Sequence, residues 1–274
     1  MSEPTLPSPQ SGQVVTKPRV RARDRNQDAP GRERESAPLL LPSQSAVLIL
    51  AGGLGTRLRS ATGIGQKVLA PVGGQPFLDK ILSRLDHAGF REVVLCTGYR
   101  SEDVQRRYGH EYGEMELRYS EEEVPLGTGG ALRWATECVR SERVLALNGD
   151  SFCDVDLLLF DQWAAHLEAS AALVATEVPD VARFGSLVLE GNNVLSFREK
   201  GEKHGAGWIN AGIYSFTREF LMGLSKHGPL SLERDVLERL PAGELLAHRH
   251  VGSFLDIGTP ESLKQAASFF AHDG

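Results

Sequence analysis

Only three cysteines occur in the 274 residues, Cys96, Cys138 and Cys153, and none forms a CxxC pair or stands at metal-ligand spacing. This excludes a disulfide scaffold and a zinc ribbon, and the odd count fits a reducing compartment, so a cytoplasmic protein is expected. No apolar run approaches the roughly 18 residues needed to span a bilayer, so no membrane contact is expected. The N-terminus also lacks the apolar core of a signal peptide. Positive charge is in short supply: 30 Lys and Arg against 36 Asp and Glu leave a net charge of −6. That balance argues against a general nucleic-acid binder. The eight histidines are scattered, and His248 and His250, alternating on one strand, are expected at the surface rather than on zinc. No strand–Ser–helix elbow is present, which excludes serine-hydrolase chemistry of that type.

What is present is enough apolar sequence, 41% of the chain, for a sizeable core. The first 45 residues stand apart. They hold seven of the 14 prolines, and their seven Lys and Arg against five Asp and Glu give +2, leaving −8 for the remainder. Residues 1–45 are therefore expected to be a disordered Pro/Arg-rich arm, because they cannot bury enough apolar surface to offset ordering entropy. Such an arm is either dispensable or a docking or targeting segment.

From residue 46 to residue 274 a single domain is expected, since no second linker follows. "AVLIL" (46–50) and "EVVLC" (92–96) read as buried strands. Between them, Phe77, Ile81, Leu82 and Leu85 fall on one helical face. "SEDVQRRYG" reads as a short helix capped by Ser101, and "GTGGALRWATECV" as a helix entered through glycines. "RVLALNGD" is a strand that ends in an acid. Further on, "GSLVLEGNNVLSFREK" reads as a hairpin, "GWINAGIYSF" as a strand, and "SLERDVLERL" and "PESLKQAASFF" as helices. Strand–helix alternation predicts an α/β fold whose central sheet is mixed and mostly parallel.

The chemistry begins in "LAGGLGTRLRSATGIGQKVLAPV" (50–72). A dinucleotide-binding turn would need glycine where Leu58 stands, and a P-loop would need no residue between Gly65 and Lys67, where Gln66 stands. The remaining option is another phosphate cradle, with backbone N–H groups turned inward, Arg57 as a fork and Lys67 as a point charge.

At these residues the chain resembles the sugar-1-phosphate nucleotidyltransferases, whose signature is Gly-Gly-x-Gly-Thr-Arg-Leu followed by a lysine and a Pro-Val. The usual prolines on either side of the lysine are replaced here by Gln66 and Val68. Further stretches match in order: "CTGYRSEDV", "EEEVPLGTGGAL", "LALNGD", "FREK" with "GWINAGIY", and "FLDIGTPES", so the likeness spans about residues 46–265. It implies a three-layer Rossmann-like fold of the GT-A-like nucleotidyltransferase kind.

The resemblance also implies roles. Leu50, Ala51, Gly52, Gly53, Gly55, Thr56 and Arg57 would hold the nucleotide, with Glu122, Gly127 and Thr128 on the base side. A carboxylate at Glu122 can accept from guanine N1–H and the 2-amino group together, which favours GTP. Gly149, Glu199, Lys200, Asn210 and Gly212 would form the sugar-phosphate pocket. Asp150 and Asp256 would hold Mg²⁺ at two strand ends. Arg57, Lys67, Asp150 and Lys200 would carry the transfer from an NTP to a sugar 1-phosphate, by positioning and charge neutralisation.

Among family members the stretches look most like D-glycero-α-D-manno-heptose 1-phosphate guanylyltransferases. Mannose-1-phosphate guanylyltransferases rank next, and glucose-1-phosphate thymidylyl- or uridylyltransferases third. Two other classes remain: a catalytically silent regulatory relative, and a glycosyltransferase using the Asp-Val-Asp at 154–156. In the family frame Asp156 instead caps a helix. A homodimer is compatible by analogy alone.

Overall fold

The computed structural model describes residues 44–53 and 65–271. The expectation of a disordered arm therefore falls outside the described residues, except at its end. Ser45 is buried and donates its hydroxyl to Asp161 at 2.7 Å, so the folded part includes this residue, one before the expected boundary.

Strand β1 (Ala46–Leu50) shows how the sequence builds the layers. Side chains alternate across a strand, so Val47 and Ile49 enter one core while Ala46 and Leu48 enter the other. Two short strands, β2 (Pro71–Val72) and β3 (Gln75–Pro76), pair beside helix α1 (Phe77–His87), which buries Phe77, Leu78, Ile81, Leu82 and Leu85 as its period predicts. Strand β4 (Glu92–Thr97) and helix α2 (Ser101–Tyr108) follow. Ser101 is not the cap of α2. It is the first helical residue, preceded by Arg100 at φ 56°, and its hydroxyl donates to Glu121 at 2.5 Å.

Strands β5 (Glu111–Tyr112) and β6 (Met115–Glu121) lead to helix α3 (Gly127–Ala135). Strand β7 (Arg143–Asn148) then runs into the short β8 (Ser151–Cys153) and helix α4 (Leu157–His166). Asp156 caps α4 by accepting from the Leu159 amide, as expected. Strands β9 (Ala171–Val178), β10 (Ser186–Glu190), β11 (Asn193–Arg198) and β12 (Gly207–Thr217) precede helix α5 (Arg218–Met222). The expected regular helix at "SLERDVLERL" is instead a π-helical turn, Leu232–Val236, running into a 3₁₀ turn, Leu237–Arg239. Strands β13 (Leu245–His250) and β14 (Phe254–Asp256) and helix α6 (Pro260–Ala271) complete the described chain.

The ten-stranded sheet has the order β10-β11-β13-β9-β12-β7-β1-β4-β6-β5. The block β7-β1-β4-β6 is parallel throughout. Across the whole sheet, β5, β11 and β12 oppose the other strands, so seven of ten run one way and the sheet is mixed but mostly parallel. Helices α1, α4 and α6 pack on one face and α3 and α5 on the other, giving three layers. Strand β14 does not join this sheet. It pairs antiparallel with β8, with Asp256 opposite Ser151. Among the described residues no helix is long and apolar enough to cross a membrane.

Candidate active site

The C-terminal ends of β1, β4 and β7 meet at one edge of the parallel block, where ligands of open α/β sheets gather. Two backbone bonds hold the ends together: the Ala51 amide donates to the Cys96 carbonyl at 2.8 Å, and the Gly149 amide to the Leu50 carbonyl at 3.0 Å. Gly52 passes close to β4, so that a Cβ there would stand 3.2 Å from the Gly98 amide nitrogen.

These ends floor a cavity of about 740 Å³. Leu50, Gly52, Gly53, Glu122, Gly127, Thr128 and Asp150 are among the residues of its wall. The Glu122 carboxylate accepts from the Leu126 amide at 2.7 Å, which fixes the loop before α3. Desolvation raises its pKa above the ordinary carboxylate range, and the Leu126 amide opposes that shift. The Thr128 hydroxyl accepts from the Leu232 amide at 2.8 Å and ties this wall to the π turn.

A second cavity of about 270 Å³ lies beside the first. It gathers Glu199, Lys200, Asn210 and Gly212, four of the five residues expected in the sugar-phosphate pocket, together with Asp256, expected as a metal ligand. No described carboxylate lies within ion-pair distance of Lys200. Asp150 lines this cavity as well as the larger one, and so do Asn148 and Glu233. The Lys67 ammonium closes on Asp150 Oδ2 at 2.5 Å. The absent prolines do not leave Lys67 loose, because Gln66 and Val68 are both buried and anchor the turn on either side.

The two acids expected to hold a metal share a backbone link. The Ile257 amide donates to the Asp150 carbonyl at 3.0 Å, next to the β8–β14 pairing. Asp256 is partly exposed, accepts from the Gly258 amide at 3.0 Å and has Arg183 at 3.8 Å. Two hard oxygen donors at adjacent strand ends, both open to the cavity, fit a Mg²⁺ that keeps water and phosphate ligands.

With that geometry in place, comparison with known proteins is decisive. The nucleotidyl transferase family model (NTP_transferase) matches residues 46–273. The chain belongs to the nucleotidyl transferase family. This nucleotidyl transferase is 34% identical over 230 residues to the D-glycero-alpha-D-manno-heptose 1-phosphate guanylyltransferase of Aneurinibacillus thermoaerophilus, a match covering 82% of this chain and 98% of the relative. It is 32% identical to the mannose-1-phosphate guanylyltransferase of Mycobacterium tuberculosis, over 82% of this chain and 64% of that one. Among solved structures, HddC from Yersinia pseudotuberculosis complexed with GMP-PN superposes with a TM-score of 0.73 at 31% identity, covering 82% and 99% of the two chains.

Several placements in this nucleotidyl transferase differ from the sequence reading. Gly55, Thr56 and Arg57 lie outside the described residues. Ala51, Lys67 and Gly149 line neither cavity, and Lys67 meets them only through its ion pair with Asp150. Ala51 is core, and a Cβ on Gly149 would stand 2.6 Å from the Leu50 carbonyl oxygen and 2.9 Å from Val68 Cγ1, so Gly149 is a packing glycine beneath the lysine turn. Gly127 lines the larger cavity, but its φ is +73° and a Cβ would meet the Leu230 carbonyl at 2.6 Å. Its lack of a side chain is required by the 230 segment.

Asn210 does not offer its amide to the cavity freely. Nδ2 donates to the Tyr214 hydroxyl at 2.8 Å and to Glu233 at 3.4 Å, while Oδ1 accepts from the Gly212 amide at 3.0 Å. The Asp-Val-Asp stretch is structural: Asp156 caps α4, and Asp154 bonds His250 and the Ser253 amide, and neither lines a cavity. His248 is half-buried against Phe160 and Trp163, with ring centroids at 5.7 and 5.0 Å, rather than at the surface. The residue that the sequence reading missed is Glu233, hidden in what read as an ordinary amphipathic helix.

Proposed function

We propose that this nucleotidyl transferase condenses GTP with D-glycero-α-D-manno-heptose 1-phosphate, giving the GDP-sugar and pyrophosphate. The observation that carries the reading is Asp150 lining both cavities with Lys67 against it. Such an arrangement suits a reaction in which two phosphates meet between two bound molecules. An oxygen of the sugar phosphate attacks the α-phosphorus of GTP, and the bond to the β-phosphate bridging oxygen breaks. The nucleophile is already anionic, so no general base is needed, and rate comes from alignment and charge neutralisation.

Each residue has a part in this reading. Lys200 in the smaller cavity holds the incoming sugar phosphate and offsets repulsion between the two anions. Glu199 beside it receives sugar hydroxyls. Lys67 passes from Asp150 to the phosphate at the junction. The backbone at Gly52 and Gly53 faces the triphosphate, and Arg57, outside the described residues, is assigned to the leaving pyrophosphate. Glu122, already oriented by the Leu126 amide, accepts from guanine as well, which offsets the desolvation of a half-buried carboxylate. Mg²⁺ bound by Asp150 and Asp256 would neutralise phosphate charge.

The choice of heptose and of GTP is supported by the printed name of the Aneurinibacillus relative and by the GMP-PN in the HddC complex. Mannose 1-phosphate is the second reading, favoured by the mycobacterial relative. The test is pyrophosphate release from a matrix of NTPs against sugar 1-phosphates. GTP with the heptose phosphate is expected to give the highest kcat/KM. Release with no pair would end the assignment, and a preference for mannose 1-phosphate would move it to the second reading.

A further inference from the structure

Glu233 sits on the π turn Leu232–Val236, and π turns inside helical segments recur at functional sites. With Asn148 and Asp150 it lines both cavities. Its Oε1 accepts one hydrogen bond from each side: from Tyr214, which lines the larger cavity, and from Asn210, which lines the smaller, each at 3.4 Å. Among the described residues no group donates to its Oε2.

The hydrogen-bond inventory of this wall leaves one vacancy. Both amide protons of Asn210 are spent, on Tyr214 and Glu233, and the Tyr214 hydroxyl proton is directed at Glu233. Asn210 and Tyr214 therefore present no free donor and serve to orient the glutamate. What remains facing the cavities is an acceptor-only carboxylate oxygen. Although the residue is open to solvent, partial desolvation between the two cavities raises the Glu233 pKa, Lys200 counters it through space and Asp150 adds to it. A bound donor would relieve that desolvation. On either side of the junction the proposed reaction brings a carbohydrate ring whose hydroxyls are donors.

Resting on the proposed transfer reaction, we propose that Glu233 is a specificity-determining residue whose free oxygen accepts a ring hydroxyl, either of the nucleotide ribose or of the sugar 1-phosphate. Glu233 is open to solvent, so an analogue lacking the hydroxyl loses the hydrogen bond itself, and the discrimination is on the scale of that one contact.

The test is a thermodynamic cycle between one side chain and one hydroxyl. Binding is measured calorimetrically, without turnover, for the full chain and for Glu233→Gln. The ligands are GTP, 2′-deoxy-GTP and 3′-deoxy-GTP, and mannose 1-phosphate with its single-deoxy analogues. In the unsubstituted protein, removing the bonded hydroxyl should weaken binding roughly tenfold, the worth of one hydrogen bond to a charged group. In Glu233→Gln the same removal should cost little, while the other deoxy penalties persist. A penalty that vanishes in the GTP series assigns the ribose, and one that vanishes in the mannose phosphate series assigns the sugar. Glu233→Asp keeps the charge but withdraws it by one methylene, and should show the same loss if the glutamine variant does not fold. Deoxy penalties that are unchanged in the folded variant would overturn the proposal, since a purely structural role would lower all affinities alike. Binding without pyrophosphate release would remove the transfer reading and leave the cycle to decide Glu233. No binding of any of these ligands to the unsubstituted protein would remove the Glu233 assignment too.

Discussion

The Lys67 ammonium and the Asp150 carboxylate, 83 residues apart, stand 2.5 Å from each other, and Asp150 lines both cavities. Each neutralises the other until a phosphate or a cation offers a better partner. In the proposed reaction the pair would exchange partners, the lysine turning to a phosphate and the acid being one of the residues that would hold Mg²⁺. Asp150→Asn removes the charge with little change of volume. It should lower pyrophosphate release by about two orders of magnitude or more, the scale of losing a preorganised electrostatic contact. The melting midpoint should stay within a few degrees. Near-normal turnover would remove Asp150 from the transfer site.

Gly149→Ala tests the revised role of that glycine. The added methyl would press on the Leu50 carbonyl at 2.6 Å and on Val68. Overpacking of this kind costs about 1–3 kcal/mol, and here the strain falls on the turn that carries Lys67. Turnover should fall on the order of tenfold to a hundredfold through misplacement. A variant with unchanged kcat and stability would show that the turn is not held from below by this contact.

Glu122 gives a pH dependence with a definite sign. Its pKa is raised by desolvation, and only the carboxylate can accept from guanine. As the pH falls through that raised pKa the acceptor is lost, so KM for GTP should rise on the acid side and stay flat above it. Glu122→Gln should abolish this acid limb and raise KM for GTP at neutral pH. If the acid limb of KM survives in the variant, the base contact lies elsewhere.

Asp161 should matter for stability and not for substrate binding. It is buried in α4 at the end of the sheet away from the cavities, and it accepts from Ser45 at 2.7 Å and from Ser215 at 2.5 Å. Arg143 stands 3.8 Å away and donates to the same Ser215 hydroxyl at 2.8 Å. Asp161→Ala removes the acidic partner of the partly buried Arg143 and leaves the Ser45 and Ser215 hydroxyls without their acceptor, at a cost of about 3 kcal/mol. Denaturant unfolding should show the loss, with KM values of the surviving folded enzyme unchanged. A shift below about 1 kcal/mol would mean that water replaces the carboxylate.

What could be read in the sequence followed from period and punctuation. Leu82 and Leu85 of α1 declared their face through a 3.6-residue repeat, and the β1 run announced a strand buried on both sides. Asp150 and Asp256 were expected at the site from strand ends and matched motifs, and Lys200 from its motif alone, and all three line the smaller cavity. Glu233 was not legible, because Leu232, Val236 and Leu237 have the spacing of an ordinary helix and nothing local reveals a π turn. Nor was Gly149, whose constraint comes from Leu50 and Val68 across the chain. Asp161 lies in the apolar stretch "LLLFDQW", where sequence alone cannot reveal the distant Ser45 and Ser215 that satisfy it.

The pairing of β8 with β14 has a consequence for the order in which this enzyme comes into being. A growing chain emerges N-terminus first, at roughly 5–20 residues per second. By the time Asp150 has emerged, β1, β4, β6 and β7 are all available, and they form the contiguous parallel block under most of the larger cavity. Asp256, Ile257 and the ribbon that ties them to Asp150 are made last. A nascent chain thus holds most of the strands beneath the larger cavity well before it holds Asp256, so the two acids that would share a metal are brought together only at the end of synthesis.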